Sequence, residues 1–487
     1  MTEKLTFTGR AFELNYLDAQ YAESLGTLCV VYGRRRVGKT RLLTHWLDSL
    51  DVPGFYWLAT DSSPAALLHS LSRALYEHIH GQPPIDPGFT YYDWDELFRE
   101  MTRLVTDSEQ KQVIILDEFT YAIDAYPDLP FKLQAAWDHQ LKDKPIMLVL
   151  SGSHVGMMAE DVLAPRSPLY GRATGLLKMS PLPFKDVRAI FPNYDIASCI
   201  ALYSVLGGVP YYLERIDPSL SVVDNIIQKV MGWSALVQDE PRLLLLDHFS
   251  QPGNYLAIIS QVARSVHSPK AIAQNLDLEP GTVSNYLHTL VKLDLIRREV
   301  PATERQPERS RKSRYEVADP YLRFYYRFLE PQLAHITRGA YLAVWQTIER
   351  HWRAFVGTHT FEELCREWVY ATAETGHLSF LPQRVGSHWS AAEQIDVVAV
   401  NWDEAIVLYG ECKWKRDSSI NEREVRKLFQ RAEQIQLATR SGNPFTRQYV
   451  FFSRTGFTEP AQALARSKNA ILVDLTYLDE VLADAIR

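Results

Sequence analysis

Cysteine is scarce in this sequence, with four among 487 residues. None of the four stands in a C-x-x-C pair, so the sequence predicts neither a zinc site nor a disulfide framework. No apolar run approaches the roughly 20 residues that a membrane-spanning helix needs, and the first residues lack the apolar stretch of a signal peptide. These absences predict a cytoplasmic protein with reduced thiols and no membrane partner.

Net basic charge is also lacking. The formal net charge is -7, which excludes a uniformly basic coat for nucleic acid but leaves room for local basic surfaces. Hydrophobic residues make up 46% and charged residues 23%, as in ordinary globular proteins, and we find neither an internal repeat nor a low-complexity segment. At roughly 100 to 200 residues per domain, a chain of this length is expected to hold about three domains.

The sequence does have a complete phosphate-binding loop near its amino end. Residues 33–40 read G-x-x-x-x-G-K-T, after the apolar run 28–32 and before the helix-like run 41–47. In such a loop the main-chain N–H groups surround the α- and β-phosphates, Lys39 reaches the β- and γ-phosphates, and Thr40 offers a hydroxyl to Mg²⁺. The sequence therefore predicts binding of ATP and Mg²⁺; a purely structural turn is the alternative. The predicted nucleotide contacts are Gly33, Arg34, Val37, Gly38, Lys39, Thr40 and Arg41.

Two carboxylates follow an apolar strand at residues 113–116. We predict that Asp117 organises the Mg²⁺ ion and that Glu118 is the general base that polarises the attacking water. Ser151 follows a further apolar run and is the predicted sensor of the γ-phosphate, with an ordinary turn serine as the alternative. Arg172 is the candidate arginine finger on a neighbour's nucleotide, which requires a homo-oligomer; the alternative is a loop arginine paired with a structural carboxylate.

Apolar runs and helical patterns alternate over the first 180 residues. Strands separated by helices predict an α/β fold with a mainly parallel sheet that is covered on both faces. The predicted strands are residues 27–32, 54–58, 113–116, 146–150 and 176–179.

The sequence after residue 185 predicts several smaller domains. Residues 254–317 have the outline of a winged helix-turn-helix, whose strands 295–300 and 313–317 form a hairpin with Arg305, Arg309, Arg311 and Lys312 at its tip. This module predicts DNA contact, with Asn285, Tyr286 and His288 facing outward and the hairpin tip on phosphates; a protein-binding module is the alternative. The predicted domains are an ATPase core (1–185), a helical lid (186–250), a winged helix-turn-helix (251–320), a helical linker (321–350) and a carboxyl-terminal domain (351–487).

These features resemble the archaeal-type ATPase family of archaea and bacteria. The resemblance rests on F-T-G-R at residues 7–10 with Glu13, on the phosphate loop, and on G-G-V-P at residues 207–210. It spans about the first 330 residues and implies an ATPase core of the AAA+ or related signalling-ATPase kind, followed by a winged helix.

A second group of polar residues lies near the carboxyl end. Residues 394–400 and 405–414 are apolar runs around a short polar link, which predicts a hairpin. If Val400 opposes Ala405, then Asp396 opposes Tyr409, and alternation places Asp396, Glu411 and Lys413 on one face. Such a set suits phosphodiester hydrolysis, because the carboxylates Asp396 and Glu411 can hold Mg²⁺ or Mn²⁺ and the lysine can orient water.

The arrangement resembles the PD-(D/E)XK nuclease superfamily, which archaeal-type ATPases often carry at the carboxyl end. Asp396, Glu411 and Lys413 match its D…ExK motif, and Glu362, chosen over Glu363, resembles its first acidic position. One departure is Gln394, where relatives commonly have glutamate. The alternative is a hairpin with a salt bridge between Glu411 and Lys413, or a descendant that only binds DNA.

Three functional hypotheses follow. The leading one is an ATP-hydrolysing, DNA-acting protein whose nucleotide state controls a metal-dependent endonuclease, in genome defence or DNA processing. The second is a nucleotide-switched regulator that binds DNA or protein and has a catalytically silent nuclease-like domain. The third is an ATP-driven DNA remodeller or loader, which requires ring assembly.

Overall fold

The chain divides into two compact units in the computed structural model. The first unit comprises residues 1–182 and 209–211, and the second comprises residues 183–208 and 212–487. No helix in the described ranges is long and apolar enough to cross a membrane. The structure describes residues 7–50, 54–106, 110–154, 156, 158, 162, 164–232, 239–246, 248–438 and 444–484.

A five-stranded parallel sheet forms the centre of the first unit, in the order β2-β3-β4-β1-β5. The predicted strands are all present within one or two residues, so the predicted α/β core with a parallel sheet is confirmed. Their nearly continuous apolar sequences are typical of parallel strands that are buried on both faces. The strands are β1 (Thr27–Tyr32), β2 (Gly54–Leu58), β3 (Gln112–Asp117), β4 (Ile146–Gly152) and β5 (Gly175–Lys178).

Helices cover both faces of this sheet. Alternate residues of β1 point to opposite faces: Leu28 and Val30 pack in the core with α3 and α4, whereas Cys29 and Val31 pack with α1 and α2. This two-sided core fixes the carboxyl ends of β1, β3 and β4 along one edge, where ligands bind in open α/β sheets. The helices are α1 (Ala11–Ala22), α2 (Lys39–Asp48), α3 (Pro64–His80), α4 (Trp94–Thr106), α5 (Phe119–Ala125) and α6 (Leu129–Ala136).

The described residues between 183 and 317 form helices joined by loops, followed by a terminal hairpin. The predicted hairpin is present, since β6 and β7 pair antiparallel with Ile296 opposite Val317. Part of the predicted lid, residues 233–238 and 247, lies outside the described residues. The elements are α7 (Phe184–Ile190), α8 (Ile196–Leu206), α9 (Pro210–Leu213), α10 (Val222–Asn225), α11 (Glu240–Leu246), α12 (Gly253–Ala263), α13 (Pro269–Leu276), α14 (Pro280–Lys292), β6 (Ile296–Glu299) and β7 (Arg314–Val317).

A second five-stranded sheet, in the order β12-β11-β10-β9-β8, follows in the second unit. Strands β8, β9 and β10 pair antiparallel, and β10, β11 and β12 pair parallel. The remaining elements are α15 (Pro320–Phe324), α16 (Leu333–Thr337), α17 (Tyr341–Phe355), α18 (Glu362–Glu374), β8 (Arg384–Trp389), β9 (Gln394–Asn401), β10 (Ile406–Lys413), α19 (Glu422–Gln434), β11 (Thr446–Ser453), α20 (Glu459–Arg466), β12 (Ile471–Asp474) and α21 (Leu475–Ala483). The finer five-part division of the chain stays a prediction.

The register predicted for the β9–β10 hairpin is wrong by two residues. Val400 opposes Val407, and continuing this register places Asp396 opposite Glu411 rather than Tyr409. The reason is the turn: the Asn401 side chain accepts hydrogen bonds from the backbone N–H groups of residues 403 and 404, at 3.0 and 2.9 Å, so Asn401 is the last paired residue. The pairing of β9 with β8 also shifts register between Val398 and Ile395, so the common face predicted for Asp396, Glu411 and Lys413 stays a prediction.

Candidate functional sites

The phosphate loop holds its lysine in a defined position. Helix α2 begins at Lys39, so the N–H end of the helix and its positive dipole lie at the loop. Lys39 is 4% exposed, and its Nζ donates to the carbonyl oxygens of Gly33 and Arg34 at 2.9 and 3.3 Å and to Ser153 Oγ at 2.8 Å. Arg41 lies in the first turn of α2. Two of the predicted loop residues, Gly33 and Arg34, therefore hold the Lys39 ammonium group through their carbonyl oxygens.

Two further contacts shape the loop. A Cβ atom on Gly33 would lie 2.3 Å from the Met179 carbonyl oxygen, so only glycine fits there. Arg10 Nη2 donates to the Val37 carbonyl oxygen at 2.8 Å, and Arg10 Nη1 pairs with Glu13 at 2.6 Å. Arg10, the last residue of the F-T-G-R motif, thus stabilises the phosphate loop through the Val37 carbonyl group. The sequence pattern did not indicate this role.

The predicted Mg²⁺ ligands meet at one oxygen atom. Thr40 Oγ1 donates to Asp117 Oδ2 at 2.6 Å, and the Tyr56 hydroxyl donates to the same oxygen at 2.9 Å. Asp117 is fully buried, and its Oδ1 accepts from the Glu118 N–H at 2.9 Å. Burial, and then the Asp117 charge, raise the pKa of Tyr56. A hydroxyl and a carboxylate are oxygen ligands of the kind that Mg²⁺ prefers, so Thr40 and Asp117 fit this ion.

Glu118 has an unusual backbone and a polar partner. Its φ is 50°, in the left-handed region that is uncommon for residues with a side chain. Its carboxylate accepts from the Ser153 N–H at 2.9 Å and from the Ser153 hydroxyl. Ser153 therefore connects the proposed base to Lys39.

The structure distinguishes Ser153 from Ser151, the residue predicted as sensor. Ser151 lies within β4 opposite Val31, is fully buried, and has a hydroxyl without a hydrogen-bond partner in the described part of the chain. Ser153 follows the end of β4, where a side chain can turn toward the phosphate loop. The sensor role of Ser151 stays a prediction, and Ser153 has the contacts that such a role requires.

Replacement of Ser153 with alanine is expected to lower kcat for ATP hydrolysis about tenfold, or about 1.4 kcal/mol. The variant loses the hydroxyl contacts to Lys39 and Glu118 while keeping the backbone contact, and one such hydrogen bond contributes roughly this much. Phosphate release measures the effect. Ser151→Ala, which removes a hydroxyl without a partner, is the matched comparison; a larger loss in that variant would support Ser151 as the sensor.

Arg172 is engaged in an ion pair. Its Nε and Nη2 atoms donate to the two oxygens of Asp138, at 2.9 and 2.6 Å for the shortest contact of each. This is the pairing with a structural carboxylate that the alternative interpretation predicted. Action on a neighbour's nucleotide stays a prediction.

In the second unit, the β9–β10 hairpin brings the predicted nuclease residues together. Lys413 Nζ lies 2.5 Å from Glu411 Oε1, and Arg431 Nη1 lies 3.4 Å from Glu411 Oε2. Asp396 Oδ2 accepts from the Cys412 N–H at 3.0 Å. Burial and the Glu411 charge raise the pKa of Asp396 to about 6. Two carboxylates and two cationic groups therefore share this site.

Glu362 belongs to the same cluster. Arg366 Nη2 lies 3.2 Å from the Glu362 carboxylate, and Arg366 Nε donates to the Asp396 carbonyl oxygen at 3.3 Å. Burial, and then the Asp396 charge, raise the pKa of Glu362. Glu363 instead pairs with Arg323 at 3.0 Å and with Arg297.

The metal predicted at this second site has a weaker structural basis. Both oxygens of Glu411 already accept from cationic side chains. In the described ranges no group of three or more His, Cys, Asp or Glu side chains is arranged to hold a metal ion. Asp396 and Glu411 suit a divalent ion by their chemistry, but the ion would have to replace Arg431 or Lys413 at Glu411.

One outward residue of the predicted recognition helix is not outward. Asn285 and His288 on α14 are exposed, but Tyr286 is half-buried. The Tyr286 ring packs edge-on against Tyr255, with centroids 4.6 Å apart, and its hydroxyl accepts from Asn254 Nδ2 at 3.1 Å. The prediction for Tyr286 is wrong because α12 offers an aromatic partner that the spacing within α14 does not reveal.

The parallel sheet and the phosphate loop define a P-loop ATPase domain, and comparisons with known families agree. Residues 7–216 match the family described as an ATPase domain predominantly from Archaea. Residues 325–428, which include Asp396, Glu411 and Lys413, match a family described as archaeal and bacterial proteins of unknown function. The predicted archaeal-type ATPase domain is confirmed, and the nuclease resemblance stays a prediction.

Individual proteins are also similar to this chain. An uncharacterized protein of Methanocaldococcus jannaschii is 28% identical over 424 residues, which cover 87% of this chain and 90% of that protein. An uncharacterized ATP-binding protein of the same organism is 42% identical over 43 residues, 9% of this chain and 73% of that protein. A Walker-type ATPase of Pyrococcus abyssi has a similar fold, with 19% identity and a TM-score of 0.51 over 66% of this chain and 96% of its own.

Proposed function

We propose that this protein binds and hydrolyses ATP and that its nucleotide state controls a metal-dependent endonuclease in its carboxyl-terminal domain. DNA is the proposed substrate, and genome defence or DNA processing the proposed setting. The observation that carries the ATPase half is the chain of contacts from Lys39 through Ser153 to Glu118, beside the Thr40–Asp117 pair.

The ATPase roles follow from these contacts. Lys39 would neutralise the β- and γ-phosphates. Carbonyl groups of the phosphate loop hold its ammonium group at the place where these phosphates would bind. Thr40 and Asp117 would hold Mg²⁺, which would supply positive charge against the negative charge of the phosphates. Glu118 would accept a proton from the attacking water. Ser153 would keep the Glu118 carboxylate facing Lys39.

The proposed nuclease roles rest on the hairpin. Asp396 and Glu411 would hold a Mg²⁺ or Mn²⁺ ion, which supplies charge neutralisation for the phosphodiester when bound. Lys413 lies on the same face and would orient water or stabilise the developing charge on phosphorus. Glu362, tied to Asp396 through Arg366, would extend the acidic cluster.

Asp396→Ala and Lys413→Ala are each expected to abolish DNA cleavage in the presence of Mg²⁺ or Mn²⁺ while ATP hydrolysis persists. Each change removes a group that contacts the proposed reaction centre but leaves the first unit unaltered. Single-stranded, duplex and branched DNA are assayed with and without ATP and metal. Asp403→Ala is the matched control, because Asp403 is an exposed carboxylate at the other end of the same hairpin. Cleavage that persists unchanged in both variants contradicts the proposal.

A second function, a nucleotide-switched regulator with a silent nuclease-like domain, is favoured by the contacts of Glu411. Its carboxylate is engaged by Lys413 and Arg431, as expected for a structural ion cluster. Calorimetric titration with Mn²⁺ separates the two functions. A silent domain shows no metal binding that depends on Asp396 and Glu411, whereas a nuclease does.

A further inference from the structure

The loop between β6 and β7, residues 300–313, is here called the wing, and it is attached to the edge of the second sheet. The Ala302 N–H donates to the Ser387 carbonyl oxygen at 2.8 Å, as in an added strand beside β8. Thr303 Oγ1 and His388 Nδ1 are hydrogen-bonded at 2.7 Å. Ala302 is fully buried in the same core cluster as Val398. The first part of the wing therefore belongs to the carboxyl-terminal domain.

A side chain on β8 also holds the first part of the wing. Arg384 donates to the carbonyl oxygens of Glu304 and Val300, at 2.9 and 3.3 Å. Directly after the wing, at the first residue of β7, the Arg314 guanidinium lies over the Trp389 ring, 4.6 Å from its centroid. The wing and the second sheet thus form one surface within the second unit.

This surface leads to the proposed nuclease site. His388 pairs with Ile395 and Trp389 with Gln394, so the strand partner of the wing lies next to the segment that carries Asp396. Neighbouring strands are about 4.8 Å apart, which puts the attached part of the wing about 10 Å from β9. Ala302 lies in the same core cluster as Ile395 and Val398, residues of β9 on either side of Asp396.

The tip of the wing presents positive charge in a fixed shape. Arg298 donates to the carbonyl oxygens of Pro307 and Ser310, at 3.1 and 2.9 Å, and so holds the tip closed. Lys312 pairs with Glu304 at 2.6 Å. The remaining tip arginines are exposed and have no ion pair within the described ranges. These are Arg305, Arg309 and Arg311.

The recognition helix offers far less charge. Along α14 the basic side chains are Lys292, at its last residue, and His288. Phosphate contacts dominate the affinity of proteins for DNA, and arginine is the side chain best suited to them. The charge that would bind a DNA backbone is therefore on the wing rather than on the helix.

We propose that the wing and the Asp396–Glu411 site form one DNA-binding surface, on which Arg305, Arg309 and Arg311 bind phosphates of a duplex without reading its sequence. This inference rests on the proposed function, in which the carboxyl-terminal site acts on DNA. The wing holds the duplex so that its backbone passes the site, and α14 contributes little to affinity.

The test compares the full-length protein with an R305A/R309A/R311A variant. Binding to two duplexes of unrelated sequence is measured by fluorescence anisotropy over a range of salt concentrations, in EDTA so that no cleavage occurs. The variant should lose affinity equally for both duplexes, and the slope of log K against log salt should fall by about 2.7, or about 0.9 for each phosphate contact. Thermal unfolding and DNA-free ATP hydrolysis should match the wild type, since the three side chains are exposed.

Two controls sharpen the result. R338A/R350A/R353A removes the same charge from exposed positions elsewhere and should keep the wild-type slope, whereas an equal loss there would reveal a bulk charge effect and overturn the inference. N285A/H288A should bind like the wild type, and a large loss would place the contact on α14 instead. Unchanged binding by the wing variant overturns the inference alone and leaves the cleavage assay to judge the proposed function. Absence of DNA binding by the wild type overturns both.

Discussion

Glu118→Gln is expected to leave ATP binding intact and to lower kcat for hydrolysis by about two to four orders of magnitude, the usual contribution of a general base. Glutamine keeps the size of the side chain and can still accept the hydrogen bond from the Ser153 N–H. It cannot take a proton from the attacking water. Nucleotide binding is measured by calorimetry and hydrolysis by phosphate release.

Asp128→Asn is the matched control for Glu118→Gln. Asp128 is an exposed carboxylate between α5 and α6, so its loss should leave kcat unchanged. A Glu118→Gln protein that hydrolyses ATP at the wild-type rate would remove Glu118 from the mechanism. A variant that no longer binds ATP would indicate that Glu118 positions Lys39 rather than the water.

Glu363→Ala is expected to destabilise the second unit by about 3 to 5 kcal/mol, because it leaves a buried charge without its partner. Glu363 pairs with Arg323, which is 3% exposed, and with Arg297, which also pairs with Glu316 on β7 at 2.9 Å. The cluster joins β6 and β7 to the first turn of α18. Chemical denaturation followed by circular dichroism measures the loss, and Glu374→Ala, an exposed carboxylate on the same helix, should lie within about 0.5 kcal/mol of the wild type.

The pH dependence of unfolding gives a second readout for the same cluster. Burial alone would raise the pKa of Glu363, but the guanidinium groups of Arg297 and Arg323 outweigh burial and hold it well below its usual range. The stability that Glu363 contributes is therefore complete above the pKa of an unfolded glutamate, about 4.3, and is lost as the pH falls below it. Glu363→Ala should flatten the stability curve in this acidic range. An unchanged curve and an unchanged midpoint would show that the ion cluster does not stabilise the unit.

The ATPase core was largely predictable because its signals are local. Apolar runs of strand length, a glycine-lysine loop and an acidic strand end each occupy a few consecutive residues, and the structure has the strands at those positions. The roles predicted for Lys39, Thr40 and Asp117 rest on where parallel strands end, and they stay predictions. The common face predicted for Asp396, Glu411 and Lys413 also rests on local alternation, and it stays a prediction because the pairing of β8 with β9 shifts register next to Asp396.

The contacts that sequence reasoning missed join distant parts of the chain. Tyr56 reaches Asp117, Arg10 reaches Val37, and neither pair has a spacing that marks it in the sequence. The contacts of Ser153 with Lys39 and Glu118 were also not predicted, because β4 ends at Gly152, two residues later than the predicted strand. The pairing of Arg297 with Glu363 was equally hidden, since an ion pair between distant elements depends on tertiary packing alone.

The close contact between Gly33 and Met179 has a consequence for the folding of the chain during its synthesis. The Met179 N–H donates to the Tyr32 carbonyl oxygen at 2.7 Å, and the Met179 carbonyl oxygen fills the space where a side chain at residue 33 would stand. The phosphate loop can therefore reach its final conformation only after the edge strand β5 and Met179 have been synthesised. A nascent chain that ends before β5 contains the whole phosphate-binding motif but still lacks Met179, the residue that packs against Gly33.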